Sequence, residues 1–453
     1  MNRYESYKTS GVEWLGEVPS HWEVKKLKHI GYIYSGLTGK SGDDFSKDHK
    51  NGFKEFIPFT TICNFSQIKE ENFQYVRTTE IERQNIVQKN DLLFLMSSET
   101  LEDIAKSSVY LLEKNSFLNS FCKGFRISSG YNSIFVNYLI GSKVYRNYFN
   151  TVGRGFTRVN IKQEYINDIP VIIPSILEQQ KIAQYLDDKN AKIDQAIMLE
   201  EKQIELLKEH KQILIQNVVT KGLNPQVKFK DSGVEWLGEV PSHWEIKKLK
   251  HFGFIYAGIN GKSGDDFSKE FKDNQKLKPF IPFTNICNNF IIDTSNYQYV
   301  RINFFEKQNA VINNDILFLM SSETLEDIAK SSLYLGNDDE LYLNSFCKAF
   351  RTTKTNELLP KFLNYLFLSQ NIRNYFAMVA RGFTRINLKQ EYVNNLPISL
   401  PPLSEQTAIA HYLDEKTAKI DHAIQLKQQQ IDKLKEYKTV LINDVVTGKE
   451  KVA

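Results

Sequence analysis

Apolar and polar positions alternate between two regimes along this chain, and each regime occurs twice. Over roughly the first 175 residues the apolar positions come in short runs, such as FKEFIPF at Phe53–Phe59, DLLFLM at Asp91–Met96 and FRIS at Phe125–Ser128. Asn, Asp, Gly and Ser bound these runs, so they read as strands joined by turns, with some helix near Asn132–Asn150. Pro170 and Pro174 end the region, and beyond them the period lengthens. From about Glu178 to Thr220 a heptad places Ala183, Asn190, Ile197, Ile204, Lys211 and Val218 at a, with Leu186, Ile193, Glu200, Leu207 and Leu214 at d. Eight of these eleven are apolar, and a second segment, about Glu405–Thr447 behind Pro397, Pro401 and Pro402, matches in the same register. A helix of this length spans about 65 Å, beyond the width of one domain, so pairing of helix on helix is expected rather than packing of each on its own domain.

The two regimes recur because the chain is duplicated. SGVEWLGEVPSHWEVKKLKHIGYIYSGLTGKSGDD at Ser10–Asp44 returns at Ser232–Asp266 with six differences in 35 positions. IPFTTICN at Ile57 returns as IPFTNICN at Ile281, MSSETLEDIAKSS at Met96 returns unchanged at Met320, and LNSFCK at Leu118 returns at Leu343. RGFTR at Arg154 returns at Arg381. The offset drifts from 222 to 227, as surface loops gain residues around a preserved fold. A period this long is a whole domain, not a solenoid repeat. The segment VVTKGLNPQVKFKDSGVEWLG that joins the copies is approximately rebuilt by VVTGKEKVA followed by MNRYESYKTSGVEWLG, so the two ends of the chain are expected close together. The expected fold is α+β: two pseudo-symmetric mixed α/β domains, 1–175 and 223–402, separated by two long helices within 176–222 and 403–453 that form an antiparallel coiled coil. A pseudo-two-fold arrangement would set the domains at opposite ends.

Composition narrows the function. With 453 residues, 41% hydrophobic and 25% charged, the chain has the make-up of an ordinary globular protein. No apolar stretch resembles a signal peptide or a membrane span, so no membrane partner and a cytoplasmic location are expected. Cys63, Cys122, Cys287 and Cys347 sit in apolar contexts without CxxC spacing, which favours buried free thiols over a metal site. A net charge of +4 means that any basic surface is local.

Catalytic motifs are missing. GKS at Gly39–Ser41 and Gly261–Ser263 imitates a phosphate loop, but Tyr34 and Tyr256 stand where its first glycine belongs. There is no HExxH, GxSxG or helix-opening GxGxxG, and no Asn-Pro-Pro-aromatic tetrapeptide of amino-methyltransferases. Glu102, Asp103 and Lys106 admit a nuclease triad on paper but read as a solvated face. No catalytic residue, metal or cofactor is expected in this chain.

The architecture resembles the specificity subunit of type I restriction-modification enzymes. The openings GVEWLGEVPSHWEVKKLK and GVEWLGEVPSHWEIKKLK resemble that family's domain starts, and NDIPVIIPSILEQQKIAQYLD and NLPISLPPLSEQTAIAHYLD its entries into the helices. The first copy departs from the pattern with Ser175-Ile176 in place of Pro-Leu. The resemblance implies two target-recognition domains that each read half of a bipartite site in double-stranded DNA, with the helix pair setting the spacing. It also implies two modification subunits carrying S-adenosylmethionine, and restriction subunits using ATP and Mg.

Physical chemistry then selects candidate DNA-binding residues: cations for phosphates, amides, hydroxyls and guanidinium groups for base edges. Arg154, Thr157, Arg158, Asn160 and Lys162, with Arg381, Thr384, Arg385, Asn387 and Lys389, form the most basic polar cluster of each copy. Phe156 and Phe383 within it could wedge against a base or pack in the core. Ser97, Ser98 and Thr100, with Ser321, Ser322 and Thr324, follow a buried-looking strand. Lys40 and Lys262 lie in a Gly-rich turn, and Lys123 and Lys348 are further candidates, as are Thr60 and Thr61 with Thr284 and Asn285. Near-identical readers predict a near-palindromic target, with Thr61/Asn285 and Phe65/Asn289 as places where the symmetry would break. The rival readings are a coiled-coil protein-binding scaffold without DNA function, and a nuclease with unrecognised carboxylates.

Overall fold

The computed structural model describes residues 3–271, 277–303 and 305–452. Two compact units divide the chain, one made of Met1–Glu201 with Gln429–Ala453, the other of Lys202–Gln428. The division cuts both long helices, Ile176–Lys221 and Leu403–Val446, near their middles. Their ends fall within two residues of those the heptad pattern predicts.

In the first unit, Leu92–Leu95 is buried at all four positions. Such a strand must be covered on both faces, and it lies inside an antiparallel sheet ordered Ser107–Val109, Leu92–Leu95, Cys122–Ile127, Gly31–Ser35. A second sheet orders Phe117–Leu118, Phe53–Ile57, Gln74–Arg77 and Phe45–Ser46, its first pair parallel. The segment expected to contain helix forms two, Ser133–Gly141 and Lys143–Val152. The second unit repeats both sheet orders, with Ile316–Leu319 and Cys347–Thr352 inside the first. Cys122 and Cys347 are buried and Cys63 and Cys287 half-buried; all four are free, and burial raises their thiol pKa values.

Sequence positions far apart share each core. Trp22, Phe125, Phe135 and Phe149 of the first unit pack with Ile182 and Leu186 from the start of the first long helix and with Leu441, Val445 and Val446 from the end of the second. In the second unit Ile215, Val218 and Val219 from the end of the first helix join Ile409 and Leu413 from the start of the second. Each such side chain contributes about 1.5–3 kcal/mol by leaving water. All eleven a and d positions of each helix are buried or half-buried, so the helices meet along the predicted seam as well as on the domains. They run antiparallel: within the second unit Lys211 faces Asp421 and Gln203 faces Lys427.

The chain ends meet as the joint comparison predicts. Tyr7 donates its hydroxyl to the carbonyl of Gly448 at 3.0 Å, and the Lys451 ammonium lies over the Tyr4 ring. Glu178, in the first turn of the first helix, accepts from Tyr4 Oη at 2.7 Å and Trp22 Nε1 at 3.1 Å and meets His21 Nε2 at 3.1 Å. Glu405 holds Trp244 and His243 in the same way. The neighbouring Gln179 is fully buried: its amide donates to the Pro174 carbonyl and its oxygen accepts from the Asn132 N–H. Gln406 repeats this with Pro401 and Leu359. The Glu-Gln pair thus roots each helix in its own domain, and Ser175-Ile176 leaves that root intact.

Candidate nucleic-acid interface

Register brings the two best candidate segments together. In the first unit Ser97–Ser98 pairs antiparallel with Val159–Asn160, Ser97 opposite Asn160 and Ser98 opposite Val159. Ile161 N–H continues the ribbon to the Met96 carbonyl at 3.1 Å. In the second unit Ser321 faces Asn387 and Ser322 faces Ile386.

The RGFTR segment projects from this ribbon as a closed loop. Arg154 and Asn160 exchange both main-chain hydrogen bonds, at 3.0 and 2.8 Å. Gly155 has φ +143°, and a Cβ there would lie 1.9 Å from the Arg158 carbonyl oxygen, so no other residue fits. Arg154 Nη1 donates to the Thr151 and Gly153 carbonyls at 2.6 and 2.7 Å, tying the loop to the end of the helix Lys143–Val152. Arg158 stacks its guanidinium 4.8 Å from the centre of the Phe121 ring, and Phe121 meets Phe59 edge-on at 6.3 Å. Thr60, next to Phe59, is exposed. Lys123 donates to Gln163 Oε1, which brings it to the turn that carries exposed Lys162. The second unit repeats the set: Gly382 at φ +141°, Arg381 on the Met378 and Ala380 carbonyls, Arg385 4.2 Å from the Phe346 ring, Lys348 on Gln390, and exposed Thr284 and Lys389. Burial lowers the Lys348 pKa.

Ser97, Thr100, Lys123, Arg154, Thr157, Arg158, Asn160 and Lys162 therefore belong to one surface of the first unit, with Thr60 beside it, and Ser321, Thr324, Lys348, Arg381, Thr384, Arg385, Asn387 and Lys389, with Thr284, to the matching surface of the second. The structure corrects the rest. Thr61 is buried, its hydroxyl on the Asn72 carbonyl. Asn285 is wholly buried and bonds the Asp293 and Asn296 carbonyls and the Asp293 N–H. Neither reaches a surface, so this pair breaks no symmetry by contact. Ser98 is buried, and it and Ser322 accept from the N–H groups of Thr100 and Thr324, which shapes the turn. Lys40 and Lys262 have side chains only 8% and 6% exposed, paired with Glu82 and Glu306 at 2.6 and 2.5 Å. Those ammonium groups are spent inside the fold.

Phe121, Phe346, Gln163 and Gln390 were not singled out from the sequence. The one signal for them was their repetition in LNSFCK and in the residue after Lys162 and Lys389. Asp103 hydrogen-bonds Thr100 and pairs with Lys106, which holds its carboxyl below the usual range; Glu102 is exposed beside it. Among the described residues no three potential metal ligands converge, and no helix is long and apolar enough to cross a membrane.

A surface of cations, hydroxyls and amides is thus built twice, on two copies of one domain. The profile of the type I restriction modification DNA specificity domain matches residues 19–209 and again 241–436. The chain belongs to that family, as a non-catalytic specificity subunit. The MjaVIII specificity subunit of Methanocaldococcus jannaschii is 22% identical over 96% of this chain and 94% of its own. The EcoKI specificity subunit of Escherichia coli K12 is 21% identical over 90% and 84%. A chain from a solved structure, on complex assembly and conformational transition of the type I R-M system, shares the fold with a TM-score of 0.70 at 14% identity, covering 95% of this chain and 98% of that one.

Proposed function

We propose that each unit reads one half of a bipartite site in double-stranded DNA, and that the two half-sites are the same or nearly so, giving a near-palindromic target. The observation that carries this is the identity of the two surfaces. Every residue placed on the first one has the same residue at the matching place on the second, from Phe59/Phe283 and Ser97/Ser321 to Gln163/Gln390. Side chains that differ between the copies inside the buried part, such as Thr61 and Asn285, do not alter what is presented. Domains 1–175 and 223–402 are the readers, and 176–222 and 403–453 the spacer. The chain works in the cytoplasm and carries two modification subunits, which bring S-adenosylmethionine and methylate adenine. Restriction subunits bring ATP and Mg.

Single-molecule methylome sequencing of a methylation-free host expressing this chain with its modification subunit tests the reading. Two short related half-sites around a fixed gap are expected. Dissimilar halves would discard the palindrome and keep the DNA function. No new methylation from an assembled complex would favour the scaffold reading.

A further inference from the structure

We infer that Phe156 and Phe383 are wedges that enter the DNA at a base step, one in each half-site, and locally unstack it. The inference rests on the DNA reading above and adds a residue that acts on the shape of the duplex rather than on its phosphates.

Both rings are wholly exposed, at 110% and 106%, while the neighbouring Val159 and Ile161 of the first loop are buried. Core packing, the alternative role for these phenylalanines, is therefore excluded. The exposure is built in. The glycine before each ring admits no side chain, the Arg154–Asn160 and Arg381–Asn387 main-chain pairs close the loop, and Arg154 and Arg381 anchor it to a helix end. A rigid loop thus holds a large apolar group out in water, where the free protein gains nothing from it. Its flanks decide the occupant. Arg154, Thr157 and Arg158 flank Phe156 in the chain and Arg381, Thr384 and Arg385 flank Phe383, all of them exposed. An apolar partner protein would leave these cations desolvated, whereas a duplex offers phosphates to the cations and a stacked apolar interior to the ring. Side chains of this kind prise base steps apart and kink DNA.

The test uses the full chain, alone and reconstituted with its modification subunits, on duplexes it enriches from a random pool. 2-Aminopurine is placed at successive positions of the enriched half-sites. Wild type should raise the fluorescence at one step in each half. Phe156→Ala should abolish the rise in one half and Phe383→Ala in the other. Each should weaken binding by roughly ten- to a hundredfold, the range of one lost aromatic–base stack. The salt slope should not change, because no charge is removed, and Phe156→Leu, which keeps an apolar wedge, should retain most of the effect. Thermal unfolding of the variants should match wild type, since both rings are outside the cores. Unchanged fluorescence and affinity in the alanine variants would overturn the wedge and leave the interface standing. Weaker binding with no fluorescence rise in wild type would also overturn insertion. Failure to enrich any sequence, with binding insensitive to salt, would overturn both readings.

Discussion

Lys211 donates to both carboxylate oxygens of Asp421, at 2.7 and 2.6 Å. Lys438 makes the matching pair of bonds to Asp194 in the first unit. Both lysines occupy a positions of a mostly apolar seam, where a polar side chain specifies register at some cost in stability. Their stems lie along the seam and their ammonium groups reach the partner helix. Asp421→Lys should lower the melting temperature by roughly 2–4 °C, about 1 kcal/mol in a unit of this size. Adding Lys211→Asp should recover most of the loss. Circular-dichroism melts of the two variants check this; equal melting of single and double variants would deny the pairing.

Asp91 is 1% exposed and receives Arg126 Nε at 3.0 Å, Arg126 Nη2 at 2.8 Å and the Tyr34 hydroxyl at 2.5 Å. The bonds tie the strands Gly31–Ser35 and Cys122–Ile127 to the residue that leads into Leu92–Leu95, and the carboxylate raises the Arg126 pKa still further above neutrality. Arg126→Met should destabilise the first unit by about 3–5 kcal/mol in urea titrations, because it strands a buried charge. Asp91→Asn with Arg126→Met should cost less than Arg126→Met alone. Arg351 and Asp315 make the same prediction for the second unit.

Glu82 and Glu306 have pKa values below the usual carboxylate range because Lys40 and Lys262 hydrogen-bond them. A carboxylate with a lowered folded pKa stabilises above its ordinary value of 4.5 and loses that contribution as the pH falls through its folded value. Amide exchange in the turns 38–44 and 260–266, corrected for intrinsic rates, should therefore accelerate below about pH 4.5. Lys40→Met should remove this pH dependence in the first turn and leave the second unaffected.

Arg158 and Arg385 are exposed, and each is held over an aromatic ring. Replacing either by Gln should reduce the log–log salt slope of DNA binding by about 0.9 if that guanidinium meets a phosphate. The same change at Lys40, whose ammonium is already paired, should leave the slope unaltered. Titrations between 50 and 200 mM salt separate the two, a range over which several phosphate contacts alter affinity by orders of magnitude.

Periodicity and repetition made the frame of this fold legible. A heptad carries its register in consecutive residues, so the helices and their seam could be read to within two residues at each end. The internal repeat likewise exposed the meeting of Tyr7 with Gly448, because the joint between copies shows what a chain end must replace. The candidate surface was legible only in part. Ser97 and Asn160 were both named, but their pairing across the ribbon depends on a strand register that no local pattern encodes. Lys40 and Asn285 misled for a physical reason. Polar side chains read as surface until a partner distant in sequence, Glu82 in one case and the 293–296 turn in the other, takes them inside. Phe121 was missed because an aromatic next to a cysteine and a strand suggests core, whereas its ring faces Arg158.

The way each core borrows from the far helix also sets the order in which the two units can be completed. Lys202–Gln428 is one uninterrupted stretch and holds everything the second unit needs. The first unit lacks Leu441, Val445 and Val446 until Gln429–Ala453 has been made. Although domains generally fold in the order they leave the ribosome, here the half begun first is the half completed last, and its unfinished apolar face waits through the translation of its twin.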